Sequence, residues 1–305
     1  MFDPKLAIVI PAYKLTFFDK TLKSILSQTN KNFTLYIGDD NSPEDLYSVV
    51  KNYEAVLNIV YRRFEGNIGS ISVVQHWNRC VAMTKLEEWI WLFSDDDIMS
   101  EDCVELFYQA IEKTSGGYDL YRFDCSIIDE AGNKIINKSR FPQIQTSFDF
   151  LISRLSYQYH SYIVNFIFSR YVYFEYNGFV NFNAAWGSDD ATWILYGQKK
   201  GIFTLERGEV EWRVSPINIS GNTNNLINRQ QKYQGTEQFI EWMYDWVNQN
   251  KILIDDKLVI RWYLIMLRLI GFRKTFWVYI KSKSFRTFFW RKKSFYQLSL
   301  FLKDL

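Results

Sequence analysis

Apolar and polar positions follow two different periods along the first hundred residues. Short, mostly apolar runs have the length and composition of buried strands, at 6–10, 33–38, 57–62 and 88–93. Between these runs, apolar side chains recur at helical spacing, at 22–26, 44–53 and 71–83. This order of strands and helices predicts an α/β fold with an open, mainly parallel sheet and right-handed crossover connections.

The pattern is mixed from residue 101 to about 220 and helical from about 230 onward. A helix is predicted around 104–111, and strands are predicted at 120–128, 166–168 and 203–214. Two acids, Asp189 and Asp190, open a further apolar helix. We therefore predict a domain over residues 1–225, divided near residue 100, followed by a helical extension over 226–305.

Polar residues follow the predicted parallel strands where each strand ends. They are Tyr13, Asp39, Asp40, Asn67, Asp95, Asp96 and Asp97. Ligands of open parallel sheets bind beyond the carboxyl ends of the strands, so we expect these side chains to surround a binding site.

Composition excludes several classes of protein. The 305 residues are 48% hydrophobic and 23% charged, which is too apolar for a disordered chain. No apolar run approaches the length of a membrane span. Three cysteines without C-x-x-C spacing argue against a disulfide scaffold or a zinc site, and we expect a reducing compartment.

Charge and aromatic residues are concentrated in the last 45 residues. Residues 261–305 carry eleven Lys and Arg against one acid, a net charge of +10, which leaves −8 for the remainder. Thirteen aromatic residues are interleaved with these cations. This composition is typical of helices lying in an anionic membrane interface. Single-stranded nucleic acid binding and simple packing on the domain are the alternatives, and no nucleic-acid partner is expected.

Three consecutive carboxylates at a strand end repel one another unless a cation lies among them. Asp95, Asp96 and Asp97 therefore indicate a site for Mg²⁺ or Mn²⁺, hard cations that prefer oxygen ligands. The alternative is that Asp97 caps a helix beginning near Glu101 while the other two acids are solvated. No glycine-rich phosphate loop is present, so a diphosphate would be neutralised by metal.

An ordered set of short motifs resembles the family-2 nucleotide-sugar glycosyltransferases. The motifs span residues 5–220 and lie at 8–13, 24–29, 39–42, 67–69, 94–97 and 189–193. The resemblance implies a GT-A type fold of the nucleotide-diphospho-sugar transferase kind, with residues 1–100 as its nucleotide-binding half and 101–225 as its acceptor half. It also implies transfer with inversion at the anomeric carbon.

The resemblance assigns roles to the strand-end residues. Pro11, Ala12 and Tyr13 would line the nucleotide pocket, and Asn67 belongs to the turn that follows the third strand. Asp40 would accept a hydrogen bond from the base, most often uracil, with Asp39 beside it. Asp95 would approach the ribose or the metal, while Asp96, with Asp97, would bind Mn²⁺ or Mg²⁺.

The acid pair on the later helix would supply the general base. Asp190 is the preferred base, Asp189 is its rival, and the alternative is a pair stabilised by the helix dipole. Trp186 would form a platform for the sugar, or else pack in the core.

Two departures from the family pattern affect the metal site. Ser94 replaces a first acid, and the segment 213–220 has no histidine. Metal affinity would then be weak, or Arg213 and Ser220 would hold the diphosphate instead.

The resemblance leads to one main functional hypothesis. The chain would transfer a sugar from a nucleotide-diphosphate donor, a UDP-sugar above all, to a lipid-linked or surface-polysaccharide acceptor. It would act in the cytoplasm, at the inner face of the plasma membrane through 261–305. A catalytically weak nucleotide-sugar binding protein and a nucleotidyltransferase are the alternatives.

Overall fold

The computed structural model describes residues 5–218 and 226–270. The described residues form one twisted sheet, in the order β3-β2-β1-β4-β9-β6-β10-β5, with β7 beside β6 and β8 beside β10. Its strands are β1 (Leu6–Ala12), β2 (Phe33–Asp39), β3 (Ile59–Arg63), β4 (Trp89–Leu92), β5 (Ile98–Met99), β6 (Leu120–Ile128), β7 (Lys134–Ser139), β8 (Ile144–Gln145), β9 (Phe166–Ser169) and β10 (Ile202–Arg213).

Helices cover both faces of this sheet. They are α1 (Phe18–Leu26), α2 (Tyr47–Val50), α3 (Val73–Val81), α4 (Cys103–Lys113), α5 (Ser147–Leu155), α6 (Arg170–Glu175), α7 (Ser188–Tyr196), α8 (Leu226–Gln249) and α9 (Asp256–Leu269). Alternate residues of β1 belong to different hydrophobic clusters. Ile8 lies in the cluster that includes α1 and α4. Val9 lies in the cluster that includes α3 and α5–α9. Burial on both faces explains why the strands are continuous apolar runs.

The parallel strands confirm the predicted sheet. β1, β2, β3 and β4 run parallel, and β6 pairs in parallel with β10. β9 lies antiparallel between β4 and β6. Register places Ala12 beside Asp39, so the carboxyl ends of β1 and β2 meet at one edge.

The predicted helix over 44–53 is the main difference from the expected elements. Only Tyr47–Val50 is helical, and turns follow it. The segment still buries Leu46, Val50 and Tyr53 against the sheet. Ser48, Val49 and Asn52 have low helix propensity, so burial holds the segment in place without extending the helix.

The C-terminal helices pack on the α/β body. Phe239 of α8 and Trp262 of α9 belong to the same hydrophobic cluster as Trp193 of α7. Gly187, which precedes α7, has a φ of 81°, and a Cβ there would lie 3.1 Å from the Phe239 ring. Glycine therefore permits both the turn and the close approach of α8. The domain boundary at residue 225 remains a prediction.

None of the helices within 5–218 and 226–270 is long and apolar enough to cross a membrane.

Candidate active site

A cavity of about 830 Å³ opens at the carboxyl edge of the sheet. Most residues that the sequence assigned to a site line this cavity: Pro11, Tyr13, Asp40, Asn67, Asp95, Asp96, Asp97, Trp186, Asp189 and Asp190. Ala12, Asp39 and Arg213 are not among the lining residues, and Ser220 lies outside the described residues. The fold thus brings the strand-end acids and the acid pair of α7 to one space.

Asp95 joins the ends of two neighbouring parallel strands. Its Oδ2 accepts hydrogen bonds from the backbone amides of Tyr13, at 2.8 Å, and Lys14, at 2.7 Å. These amides follow β1, whereas Asp95 follows β4. The carboxylate therefore fixes the backbone at the end of the motif at 8–13.

Asp97 is tied to the protein rather than to solvent. Its Oδ2 accepts from the Ser94 hydroxyl at 2.6 Å, and its Oδ1 accepts from the Arg213 amide at 2.7 Å. Burial raises the pKa of Asp97, and the charge of Asp96 adds to this effect. Asp97 does not cap the next helix, since α4 begins at Cys103 after Asp102. Its role as a metal ligand stays a prediction.

The guanidinium of Arg213 supports the acidic loop from behind. Its Nε donates to the Asp96 carbonyl at 2.8 Å, and its Nη1 donates to the carbonyls of Asp129 and Glu130. The side chain is buried and lies over the Phe17 ring, 4.6 Å from its centroid. Arg213 thus fixes the backbone of the loop, and its predicted contact with a diphosphate stays untested.

Three oxygen atoms converge on one point beside the strand ends. Asp95 Oδ1, Asp96 Oδ2 and Asn218 Oδ1 all contact the Lys14 ammonium, with the first and last at 3.2 and 3.1 Å from Nζ. Two carboxylates and an amide carbonyl are hard ligands that suit Mg²⁺ or Mn²⁺. Among the described residues, no group of three or more His, Cys, Asp and Glu side chains is arranged to hold a metal. The three oxygens are of the type that a divalent ion takes, and in the structure the Lys14 ammonium lies between them.

Asp40 lies in a cradle of backbone amides. Its Oδ1 accepts from the Ile68 amide at 2.9 Å, and its Oδ2 accepts from the Gly69 amide at 2.8 Å. Arg79 donates a further hydrogen bond to Oδ1. Burial raises the pKa of Asp40, and the two amides and Arg79 oppose that rise. Oδ2 accepts one hydrogen bond in the structure and retains accepting capacity.

Asp39 has a different environment from its neighbour. Its Oδ2 accepts from the Tyr61 hydroxyl at 2.6 Å and from Arg63 Nη1 at 3.1 Å, and its Oδ1 accepts from the Ser42 amide at 2.8 Å. The side chain is fully buried. Asp39 therefore links β2 to β3 and to the following turn.

The first turn of α7 presents two carboxylates to the cavity. Arg154 Nε, from α5, donates to Asp190 Oδ1 at 2.8 Å. Burial raises the pKa of Asp189 to about 7, the charge of Asp190 adds to the rise, and Arg154 opposes it. Burial also raises the pKa of Asp190, against Arg154. Burial thus favours the neutral form of both carboxyl groups while Arg154 favours their ionised form, and carboxyl groups with raised pKa values suit proton transfer.

Aromatic rings form another wall of the cavity. Tyr162 stacks on Trp212 of β10, with centroids 4.0 Å apart and planes 6° from parallel. Trp186 also lines the cavity, and the Lys232 ammonium lies over its ring, 4.9 Å from the centroid. Trp262 of α9 lines the same space. This wall offers flat apolar faces of the kind on which sugar rings pack.

Lys14, Asn218 and Arg154 were missed by the sequence analysis. Lys14 directly follows the Tyr13 motif, and Asn218 lies in the segment that was searched for a histidine. Attention to oxygen donors in that segment would have found Asn218. Arg154 is 36 positions from Asp190, so only the fold shows this pairing.

Comparison with known proteins identifies the family. The family model "Glycosyl transferase family 2" matches residues 7–170. The chain belongs to glycosyl transferase family 2. Uncharacterized glycosyltransferases of Rickettsia conorii and Rickettsia felis are 21% and 22% identical to it, each over 74% of this chain. The chain spans about a third of their length, 34% and 35%.

Solved structures of low sequence identity share the fold. Residues 1–349 of S. aureus TarS in complex with UDP-GlcNAc match with a TM-score of 0.64 at 14% identity, over 93% of this chain and 77% of that one. The complex with UDP matches with a TM-score of 0.60 at 16% identity, over 94% and 78%. The family-2 resemblance and the GT-A type fold are thereby confirmed.

The cradle of Asp40 predicts a specific effect of a single methyl group. A Cβ at Gly69 would lie 2.3 Å from Asp40 Oδ2, whereas a Cβ at Gly66 would have nothing within 4 Å. We expect Gly69→Ala to displace the Asp40 carboxylate and weaken UDP binding by roughly tenfold or more, measured by isothermal titration calorimetry. Gly66→Ala is the matched control and should bind as the unmodified chain does. Equal affinities of the two variants would contradict this role of Asp40.

Proposed function

We propose that the chain transfers a sugar from a nucleotide-diphosphate donor to an acceptor hydroxyl. The observation that carries this proposal is the meeting, in one cavity, of the strand-end oxygens around Lys14 and the acid pair of α7. The first group suits a diphosphate with its cation, and the second suits removal of a proton. The TarS structures bound to UDP and UDP-GlcNAc support a UDP-sugar as the donor.

The donor nucleotide would lie along the carboxyl ends of β1 and β2. Pro11, Tyr13, Asn67 and Asp40 line the cavity, and Asp40 would meet the base. We propose that the base donates a hydrogen bond to Asp40 Oδ2, the oxygen with fewer partners in the structure.

A divalent ion would be held by Asp95 and Asp96, with Asn218 as a third oxygen donor. When bound, Mn²⁺ or Mg²⁺ stabilises negative charge that develops on the departing diphosphate. Arg213 Nε donates to the Asp96 carbonyl, and the Arg213 amide donates to Asp97 Oδ1. Asp97 and Arg213 therefore keep the loop in place.

Transfer would proceed with inversion, and Asp190 would act as the general base. Its carboxylate takes the proton of the acceptor hydroxyl as that oxygen attacks C1 opposite the diphosphate. The C1–O bond to the diphosphate breaks, and the sugar passes through an oxocarbenium-like transition state. Arg154 orients the Asp190 carboxylate and keeps its ionised form favoured over that of Asp189.

The acceptor would be a lipid-linked or surface-polysaccharide glycan. The Tyr162–Trp212 stack and Trp186 line the space that it would enter. We propose that residues 271–305, with nine Lys and Arg, bring the chain to the cytoplasmic face of an anionic plasma membrane. Residues 261–269 of the proposed 261–305 segment belong to α9, in which Trp262 and Tyr263 are buried.

Donor binding is tested by thermal unfolding with UDP, GDP, CDP or TDP, each with and without Mn²⁺. We expect UDP with Mn²⁺ to raise the melting temperature, because a ligand that binds only the folded chain stabilises it. Asp96→Ala should lose the part of the rise in melting temperature that depends on Mn²⁺. Glu112 is an exposed acid on α4, and Glu112→Ala should keep that part. Absence of a shift with every nucleotide would refute the donor proposal. A UDP shift without turnover would favour the catalytically weak binding protein.

The general base is tested by replacing each acid of α7 with its amide. We expect Asp190→Asn to reduce turnover of the UDP-sugar by roughly 10²-fold or more while UDP affinity is unchanged. Asp189→Asn, the matched variant, should have a smaller effect. Loss of turnover in Asp189→Asn alone would assign the base to Asp189.

The pH dependence separates the two acids independently. Asp189 has a pKa near 7, and Arg154 favours the ionised form of Asp190, so Asp189 is protonated first as the pH falls. A rate that depends on ionised Asp190 should therefore fall less between pH 7.5 and 6 than one that depends on ionised Asp189. A base with a pKa near 7 would be about three-quarters ionised at pH 7.5 and about one-tenth ionised at pH 6, so a fall of roughly eightfold would identify Asp189.

Membrane association is tested by vesicle sedimentation. The full chain should bind vesicles rich in phosphatidylglycerol, binding should weaken with added salt, and neutral phosphatidylcholine vesicles should bind little. Deletion of 271–305 leaves α9 intact and should abolish binding. A truncated chain that still sediments with anionic vesicles would disprove this role.

A further inference from the structure

The Lys14 ammonium occupies the point where the strand-end oxygens converge. Nζ lies 3.2 Å from Asp95 Oδ1 and 3.1 Å from Asn218 Oδ1, and it also bonds to Asp96 Oδ2. The three acceptors come from two segments, the loop after β4 and the loop after β10. A single cation therefore holds these loops together.

The position of Lys14 follows from the end of β1. Its backbone amide donates to Asp95 Oδ2 at 2.7 Å, so the side chain starts beside the carboxylate that it neutralises. The Lys14 side chain is 23% exposed, whereas those of Asp95 and Asp96 are 5% and 6% exposed. The cation thus lies between buried anions and the open cavity.

Two buried carboxylates require a counterion. The Lys14 ammonium contacts both carboxylates, at 3.2 Å from Asp95 Oδ1 and through a bond to Asp96 Oδ2. Removing one partner of a buried ion pair leaves an uncompensated charge, which is strongly unfavourable. In the structure the cation at this point is the Lys14 ammonium, and a metal ion bound to the same oxygens would provide the same compensation.

An ammonium and a divalent ion that use the same oxygens exclude each other. We propose that Lys14 is the resident counterion of this site and that Mn²⁺ or Mg²⁺ enters only by displacing its ammonium. Metal binding to the nucleotide-free chain is then suppressed. The displaced ammonium is long enough and exposed enough to turn into the cavity, where a nucleotide diphosphate supplies a new anion. Nucleotide and metal consequently bind with positive cooperativity.

This inference rests on the proposed function only through the diphosphate. The competition between ammonium and metal concerns the free chain alone. Its main test therefore contains no nucleotide, and failure of donor binding would leave that result interpretable.

The test is Mn²⁺ titration of the full, nucleotide-free chain, with free Mn²⁺ measured by electron paramagnetic resonance. Lys14→Met keeps the length of the side chain and removes its charge. We expect it to bind Mn²⁺ roughly tenfold tighter or more, because the ion no longer competes with an ammonium. Lys51→Met, an exposed control, should bind as the unmodified chain does. Equal affinity in Lys14→Met and the unmodified chain would overturn the proposal.

Stability provides a second readout. Lys14→Met should melt at a lower temperature than the unmodified chain in EDTA and recover with Mn²⁺, because the metal replaces the lost counterion. A melting temperature that Mn²⁺ does not restore would show that the ion pair is only structural. If Lys14→Met does not fold, Lys14→Gln, which keeps an amide donor, is titrated in the same way against the same criterion.

The unmodified chain also reports on the cooperativity. Saturating UDP should tighten Mn²⁺ binding by a larger factor in the unmodified chain than in Lys14→Met. Equal factors would contradict displacement of Lys14. If the chain does not bind UDP at all, the donor proposal is refuted. The Mn²⁺ affinities measured without UDP would still test the role of Lys14.

Discussion

Burial of several carboxylates at one edge of a sheet is the constraint on which this structure depends. Asp40, Asp95, Asp96 and Asp97 are all nearly inaccessible to solvent. Anions in such a place are tolerated only when hydrogen bonds or cations satisfy them. Backbone amides donate hydrogen bonds to Asp40 and Asp95. A hydroxyl and an amide donate to Asp97, and the Lys14 ammonium donates to Asp96.

The same hydrogen bonds that satisfy these anions also assemble the fold. Asp95 joins β1 to β4, and Asp97 joins the loop after β4 to the end of β10. The strands at this edge of the sheet are held together there by side chains that line the cavity. Site and scaffold are consequently not separable, and loss of one anion alters the positions of its neighbours as well as the local charge.

Much of the sheet and the strand-end site could be predicted from the sequence, because buried parallel strands leave continuous apolar runs with polar ends. β6 was predicted at its observed bounds. The sequence could not separate Asp39 from Asp40, since adjacent residues at a strand end point in opposite directions and only packing shows which one meets the cavity. Arg154 and Lys14 were missed because their partners are 36 and 81 or more positions away.

Two consecutive residues of β10 contribute to the site in different ways. Trp212 lies in the aromatic wall, and Arg213 supports the acidic loop from the opposite face. A one-residue insertion or deletion just before this pair would exchange the two faces, because the side-chain period of a strand is two. The irregular register between Thr204 and Glu209 lies upstream, with Gly208 at a φ of 74°. Insertions and deletions among homologous chains should therefore occur at that bulge. The number of residues between the bulge and the end of β10 should stay constant.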